Sequence, residues 1–131
     1  MTPPDHVQTL LHKAQQDEAV LEKLAVDPAF DDETVGFHAQ QAAEKLLKAL
    51  LVHHGVDYPR THSIGLLLDL LATAGAALPA DLNEVEQLTP FGTVFRYDDL
   101  RLAAKDQRPR WLPMIRALRQ FIESKITKGM V

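Results

Sequence analysis

The sequence predicts an all-α protein, an antiparallel up-and-down four-helix bundle with a short additional helix. Three observations lead there. Apolar residues recur at helical spacing in four segments, no segment alternates as a strand would, and the connections between segments are short. At 131 residues, with 46% hydrophobic and 24% charged residues, the chain suits one domain spanning residues 1–131 around a single core.

Val7, Leu10, Leu11, Ala14, Leu21, Leu24 and Ala25 mark a first helix over residues 5–25, with Pro3 and Pro4 leading into it. Glu18 falls in the apolar stripe of that helix, so it must lean toward solvent or meet a cation. Asp31 or Asp32 is placed to accept backbone N–H groups at the start of the second helix. The main stretch of that helix, FHAQQAAEKLLKALLVHHG from Phe37 to Gly55, divides into two faces. Ala39, Ala42, Ala43, Leu46, Leu47 and Leu50 form a core-facing side, and Gln40, Gln41, Glu44, Lys45 and Lys48 lie opposite. Phe37, Leu51 and Val52 interrupt the polar side, which is therefore expected to meet another polypeptide or a ligand.

Gly55 suits a left-handed C-terminal conformation with Val56 folding back, and His53 and His54 stand where the helix dipole favours positive charge. After the turn VDYPRT, the run SIGLLLDLLATAG predicts a buried third helix, capped by Thr61 or Ser63, in which Gly65 admits a close approach. Pro79, Asp81 and Glu84 start a short fourth helix carrying Leu82, Val85 and Leu88. Residues 89–108 are less regular. The final helix opens near Pro109, tolerates Pro113 only in its first turn, and repeats Trp111, Ile115, Leu118, Ile122 and Ile126.

The net charge of −4 conceals an asymmetry. Residues 1–95 hold 5 Lys/Arg against 14 Asp/Glu, whereas residues 96–131 hold 9 against 4. The basic C-terminal part, from Arg96 and Arg101 through Lys105, Arg108 and Arg110, either docks on the acidic remainder, the favoured reading in an acidic protein, or attracts phosphates. The chain has no cysteine, which excludes disulfides and thiolate chemistry. No apolar run approaches a membrane span and MTPPDH does not begin like a signal peptide, so a cytoplasmic protein is expected.

Catalytic motifs are missing: no glycine-rich phosphate loop, no HExxH and no GxSxG. His53 and His54 point about 100° apart on a helix with no carboxylate one turn away, so no metal is expected, and no motif calls for a cofactor. Two constellations remain. His38, Gln41, Lys45 and Lys48 follow at near three- and four-residue intervals along one side of the second helix. The plainest reading of them is a solvated face with Glu44 and Lys48 as an i,i+4 pair. Tyr58 to His62, together with Arg96, Tyr97, Asp98 and Asp99, offer a histidine at a helix start and an arginine beside an aromatic ring. Those are the elements of an anion or nucleotide pocket, although the favoured reading of the residues alone is His62 and Tyr97 as packing residues with Arg96 paired to Asp98 or Asp99.

The phrase FHAQQAAEKLLKALL, followed by a glycine, P-R-T-H-S-I-x-x-L-L and a distant R-Y, resembles the HEPN domain family of bacteria and archaea along nearly the whole chain. The resemblance implies a helical homodimer. It also implies a minimal nucleotidyltransferase as partner, because this small single-domain branch often occurs in two-gene modules resembling toxin–antitoxin pairs. Many members are metal-independent ribonucleases whose motif is Arg, four to six residues, then His. This chain departs from it: Arg60 stands only two positions before His62, and no histidine follows Arg96, Arg101 or the later arginines. RYDD also departs from the commoner RYP.

The resemblance raises His38, Gln41, Lys45, Lys48, His62, Arg96 and Tyr97 as cleft residues. The lysines and Arg96 would contact phosphate, Tyr97 would stack on a base, and Gln41 and the histidines would donate hydrogen bonds. The expected function is a dimeric nucleotide- or nucleic-acid-binding component of such a module. The alternatives are a ribonuclease toxin using a relocated His62 and Arg96 as catalytic pair, and a helical adaptor that recognises only protein.

Overall fold

Thr2 and Asp5 begin the first helix. Each side chain accepts the other's backbone N–H, a capping box directly ahead of and behind Pro3 and Pro4. The Thr2 hydrogen bonds hold the Asp5 carboxyl below its usual pKa. The computed structural model describes residues 2–93 and 106–129. Every element among them is a helix: α1 (Pro3–Leu24), α2 (Asp32–His53), α3 (Ile64–Thr73), a 3-10 helix (Ala80–Leu88), the five-residue α4 (Thr89–Thr93) and α5 (Arg108–Gly129). None of the described helices is long and apolar enough to cross a membrane.

α2 is the axis of the protein. The predicted core side is buried, with Ala39, Ala42, Ala43 and Leu47 fully inaccessible, but so are Leu51 and Gln40 on the side expected to be polar. The cause is coverage from several directions, since α2 packs on α1, α3, α4, α5 and the 3-10 helix. Of the three residues expected to interrupt a free polar face, Leu51 is in the core and Val52 packs against it. Only Phe37 remains exposed.

Contacts give the helix directions. Asp17 of α1 meets His38 and Lys45 of α2, while Pro3 and Val7 share a cavity with Val52 and His53, so α1 and α2 are antiparallel. The connection after α2 is a return path, where a simple turn was expected. Gly55 takes φ 73°, and the Val56 N–H donates to Leu51 O at 2.9 Å, as the sequence predicts. Tyr58 then lies beside Lys48, and His62 reaches Glu44 and Gln40. Eight residues from Gly55 thus retrace three turns of α2. Ser63 caps α3 by accepting the Leu66 N–H, and Gly75 and Ala76 beyond its end line a cavity with Leu50 and His54. α3 therefore runs in the same sense as α2, and strict up-and-down alternation does not extend to it.

The 3-10 helix buries Leu82, Val85 and Leu88, as expected of the fourth helix. It leads into α4, where Phe91 packs edge-to-face on Trp111 with ring centroids 5.1 Å apart. Pro113, expected only in a first turn, is the sixth residue of α5 and leaves the Pro109 carbonyl without its helical N–H. Trp111, Ile115, Leu118, Ile122 and Ile126 form the buried stripe.

Charge pairing joins the basic end to the acidic helices among the described residues. Glu18, the polar residue in the α1 stripe, accepts from Arg119 at 2.7 Å, and Arg116 approaches Glu22 at 3.4 Å. Arg108 closes the other end of the molecule. Its guanidinium donates to the carbonyls of Leu24, Ala25, Asp27 and Phe30 and to Asp32 Oδ1, at 2.7 to 3.1 Å. Asp32 is thus engaged by a distant arginine, and Asp31 occupies the cap position of α2 without a side-chain cap bond.

A candidate nucleotide site on a buried carboxylate

Gln40, Glu44 and Lys48 follow at four-residue intervals and form one ridge of α2. The return path from Gly55 lies along that ridge and converts it from solvent-facing to internal. Glu44 is buried, at 4% exposure. One of its oxygens accepts from Gln40 Nε2 at 3.1 Å and from His62 Nδ1 at 2.8 Å, and the other from Lys48 Nζ at 3.1 Å. The Gln40 amide and the Lys48 ammonium can only donate to the Glu44 carboxylate, whose role is therefore acceptor, and the matching partner is a His62 ring with hydrogen on Nδ1. The His62 side chain is 60% exposed, which leaves Nε2 directed away from the Glu44 bond. This is the arrangement by which a carboxylate fixes both the tautomer and the orientation of a working imidazole.

The supporting groups are held in turn. Gln40 Nε2 also donates to the His62 carbonyl at 3.1 Å, and Gln41 Nε2 donates to Gln40 Oε1 at 2.7 Å. Gly92 of α4 roofs the Gln40 amide so closely that a Cβ there would fall 2.5 Å from Gln40 Cδ. Only a glycine permits that approach. On the opposite side the Lys48 ammonium stands 5.4 Å from the Tyr58 ring centroid. Burial, and secondarily the Glu44 charge, push the Tyr58 hydroxyl above its ordinary pKa.

The residues expected along one side of α2 therefore divide. His38 and Lys45 turn to α1 and share Asp17, His38 Nδ1 at 3.4 Å. Lys48 and His62 share Glu44, which bears out the Glu44–Lys48 pair. Gln41 sits between the two groups through Gln40. Arg96 and Tyr97, with Asp98 and Asp99, lie outside the described residues. His53 and His54 stack edge-to-face with centroids 5.3 Å apart, and burial together with the His53 charge lowers the His54 pKa, opposite to the effect expected of the helix dipole. The sequence gives Asp17 no role, offers Tyr58 only as part of a candidate anion pocket or as packing, and puts Gln40 on the polar side of α2. The four-residue spacing of Gln40, Glu44 and Lys48 was the available signal, but it does not reveal what lies over it.

A family model described as HEPN domain matches residues 7–125. No curated protein and no solved structure matches the chain. The matched span runs from the first buried residue of α1 to the last turns of α5 and contains Glu44, His62 and every element that holds them, so the chain belongs to the HEPN domain family.

Proposed function

We propose that this HEPN protein acts as a homodimer that binds nucleotide or nucleic-acid phosphates in a cleft centred on His62, as one component of a two-gene, toxin–antitoxin-like module with a minimal nucleotidyltransferase. The observation that carries this reading is the exposed His62 imidazole, held by Nδ1 on buried Glu44 with Nε2 left for a ligand. Lys48 and Lys45 lie on the same helix but are already paired with carboxylates, so they set the local field and His62 makes the direct contact as an imidazolium, with Nδ1–H on Glu44 and Nε2–H donating to a phosphate oxygen. Arg96 and Tyr97 complete the cleft in this proposal as phosphate contact and base platform. Exposed Phe37, edge-to-face with His38 at 5.6 Å, is the α2 side chain offered to the second subunit.

Calorimetry with ATP, GTP and short single-stranded RNA tests the reading. Wild type binds at least one of them at millimolar concentration or below, and His62→Ala weakens binding roughly tenfold, the loss of one charge-assisted hydrogen bond. No binding by wild type refutes it. The same dyad favours ribonuclease chemistry as a second reading, because an oriented imidazole is a general acid or base and Arg96 is a charge stabiliser. In that case the purified protein cuts RNA in the presence of a chelator, and His62→Ala abolishes the cutting.

A further inference from the structure

At the far end of α2 from Gln40, a cavity of about 430 Å³ opens between α2, α5 and the turn that follows α3. Leu50 and Phe121 supply an apolar wall, and His54 and Lys125 supply an imidazole and an ammonium at its edge. No carboxylate lines it among the described residues. The Lys125 ammonium lies 5.4 Å from the Phe121 ring centroid. Arg108, Arg116 and Arg119 of the same helix each have an acidic partner, whereas Lys125 and His54 have none among the described residues. The Lys125 ammonium, without a counter-charge among the described residues, leaves a local positive potential beside apolar surface.

Backbone donors point to the same conclusion. Ala77 and Leu78 line the cavity, and neither N–H has a hydrogen-bond partner among the described residues, although Leu78 is buried at 7% exposure. Ala77 is exposed, whereas an unpaired N–H at a buried residue such as Leu78 is rare and can be satisfied by an anionic oxygen. The volume lies in the range of small-ligand pockets.

We infer that this cavity is a second binding site, separate from His62, for a small organic anion. A carboxylate or phosphate head lies between Lys125, His54 and the Ala77 and Leu78 amides, and a flat apolar body rests on Phe121 and Leu50. The test is an NMR titration of the full chain with benzoate, phenyl phosphate, inorganic phosphate and benzyl alcohol, following the Ala77 and Leu78 amides. Benzoate or phenyl phosphate shifts both amides saturably within about ten millimolar, and whichever binds more tightly identifies the head group. Inorganic phosphate and benzyl alcohol, each lacking half of the ligand, bind at least about tenfold more weakly. Lys125→Met and His54→Gln, both at exposed positions, each weaken the organic anion by about tenfold, while His62→Ala leaves it unchanged. No saturation by either aromatic anion, equal binding of benzyl alcohol, or full affinity in both variants overturns the assignment.

Discussion

Glu44→Ala lowers the folding stability by about 3 kcal/mol, the lower end of what removing one partner of a buried ion pair costs. For a domain of this size that is a fall in melting temperature of roughly 10 °C. The carboxylate is the shared acceptor for Gln40, Lys48 and His62, and Gln40 is fully inaccessible, so its amide loses a partner it cannot replace with bulk water. Lys48 and His62 retain access to solvent, which keeps the loss from being larger. Glu44→Gln preserves the volume and some of the acceptor geometry and costs about half as much. Thermal denaturation checks the order, and a loss below about 1 kcal/mol for the alanine variant means that the carboxylate does not hold the return path in place.

Arg108→Met removes five hydrogen bonds at once and costs about 3 kcal/mol, measured by urea denaturation. Four of the acceptors are carbonyls between Leu24 and Phe30, where α1 ends and the chain turns toward α2. Helix ends leave such carbonyls without partners, and a guanidinium fork can satisfy several together. Water replaces part of the loss because this end of the molecule is partly exposed. An ammonium carries its three N–H donors on a single nitrogen and cannot span five acceptors as the fork does, so Arg108→Lys recovers less than half of the stability. Wild-type stability in Arg108→Lys contradicts this role.

Apolar periodicity made the helices legible. The α2 core side, the α5 stripe from Trp111 to Ile126, the Ser63 cap and the Gly55 turn all depend on residues within one turn of each other, and all stand where the sequence places them. The docking of the basic end was legible from charge alone, as Arg108, Arg116 and Arg119 show. Long-range coverage was not. Gln40 and Glu44 are polar and lie on the side away from the leucines, and nothing local shows that residues 55–63 return across them or that Gly92 seals the amide. Asp31 looked like a cap because cap preference is local, whereas the observed partner of Asp32 is an arginine 76 residues away. The His62 site follows the same logic: its imidazole was visible in the sequence, and the carboxylate that orients it was visible only as a partner for Lys48.

The proposed site requires Glu44 to orient the His62 ring with Nε2 free for a ligand. Nitrogen-15 NMR of the imidazole tests it most directly, above the pH at which the ring takes up its second proton. Wild type shows the tautomer with hydrogen on Nδ1, and Glu44→Gln changes the tautomer balance toward that of a free histidine side chain. A wild-type ring protonated on Nε2, or a tautomer mixture identical in wild type and Glu44→Gln, contradicts the account.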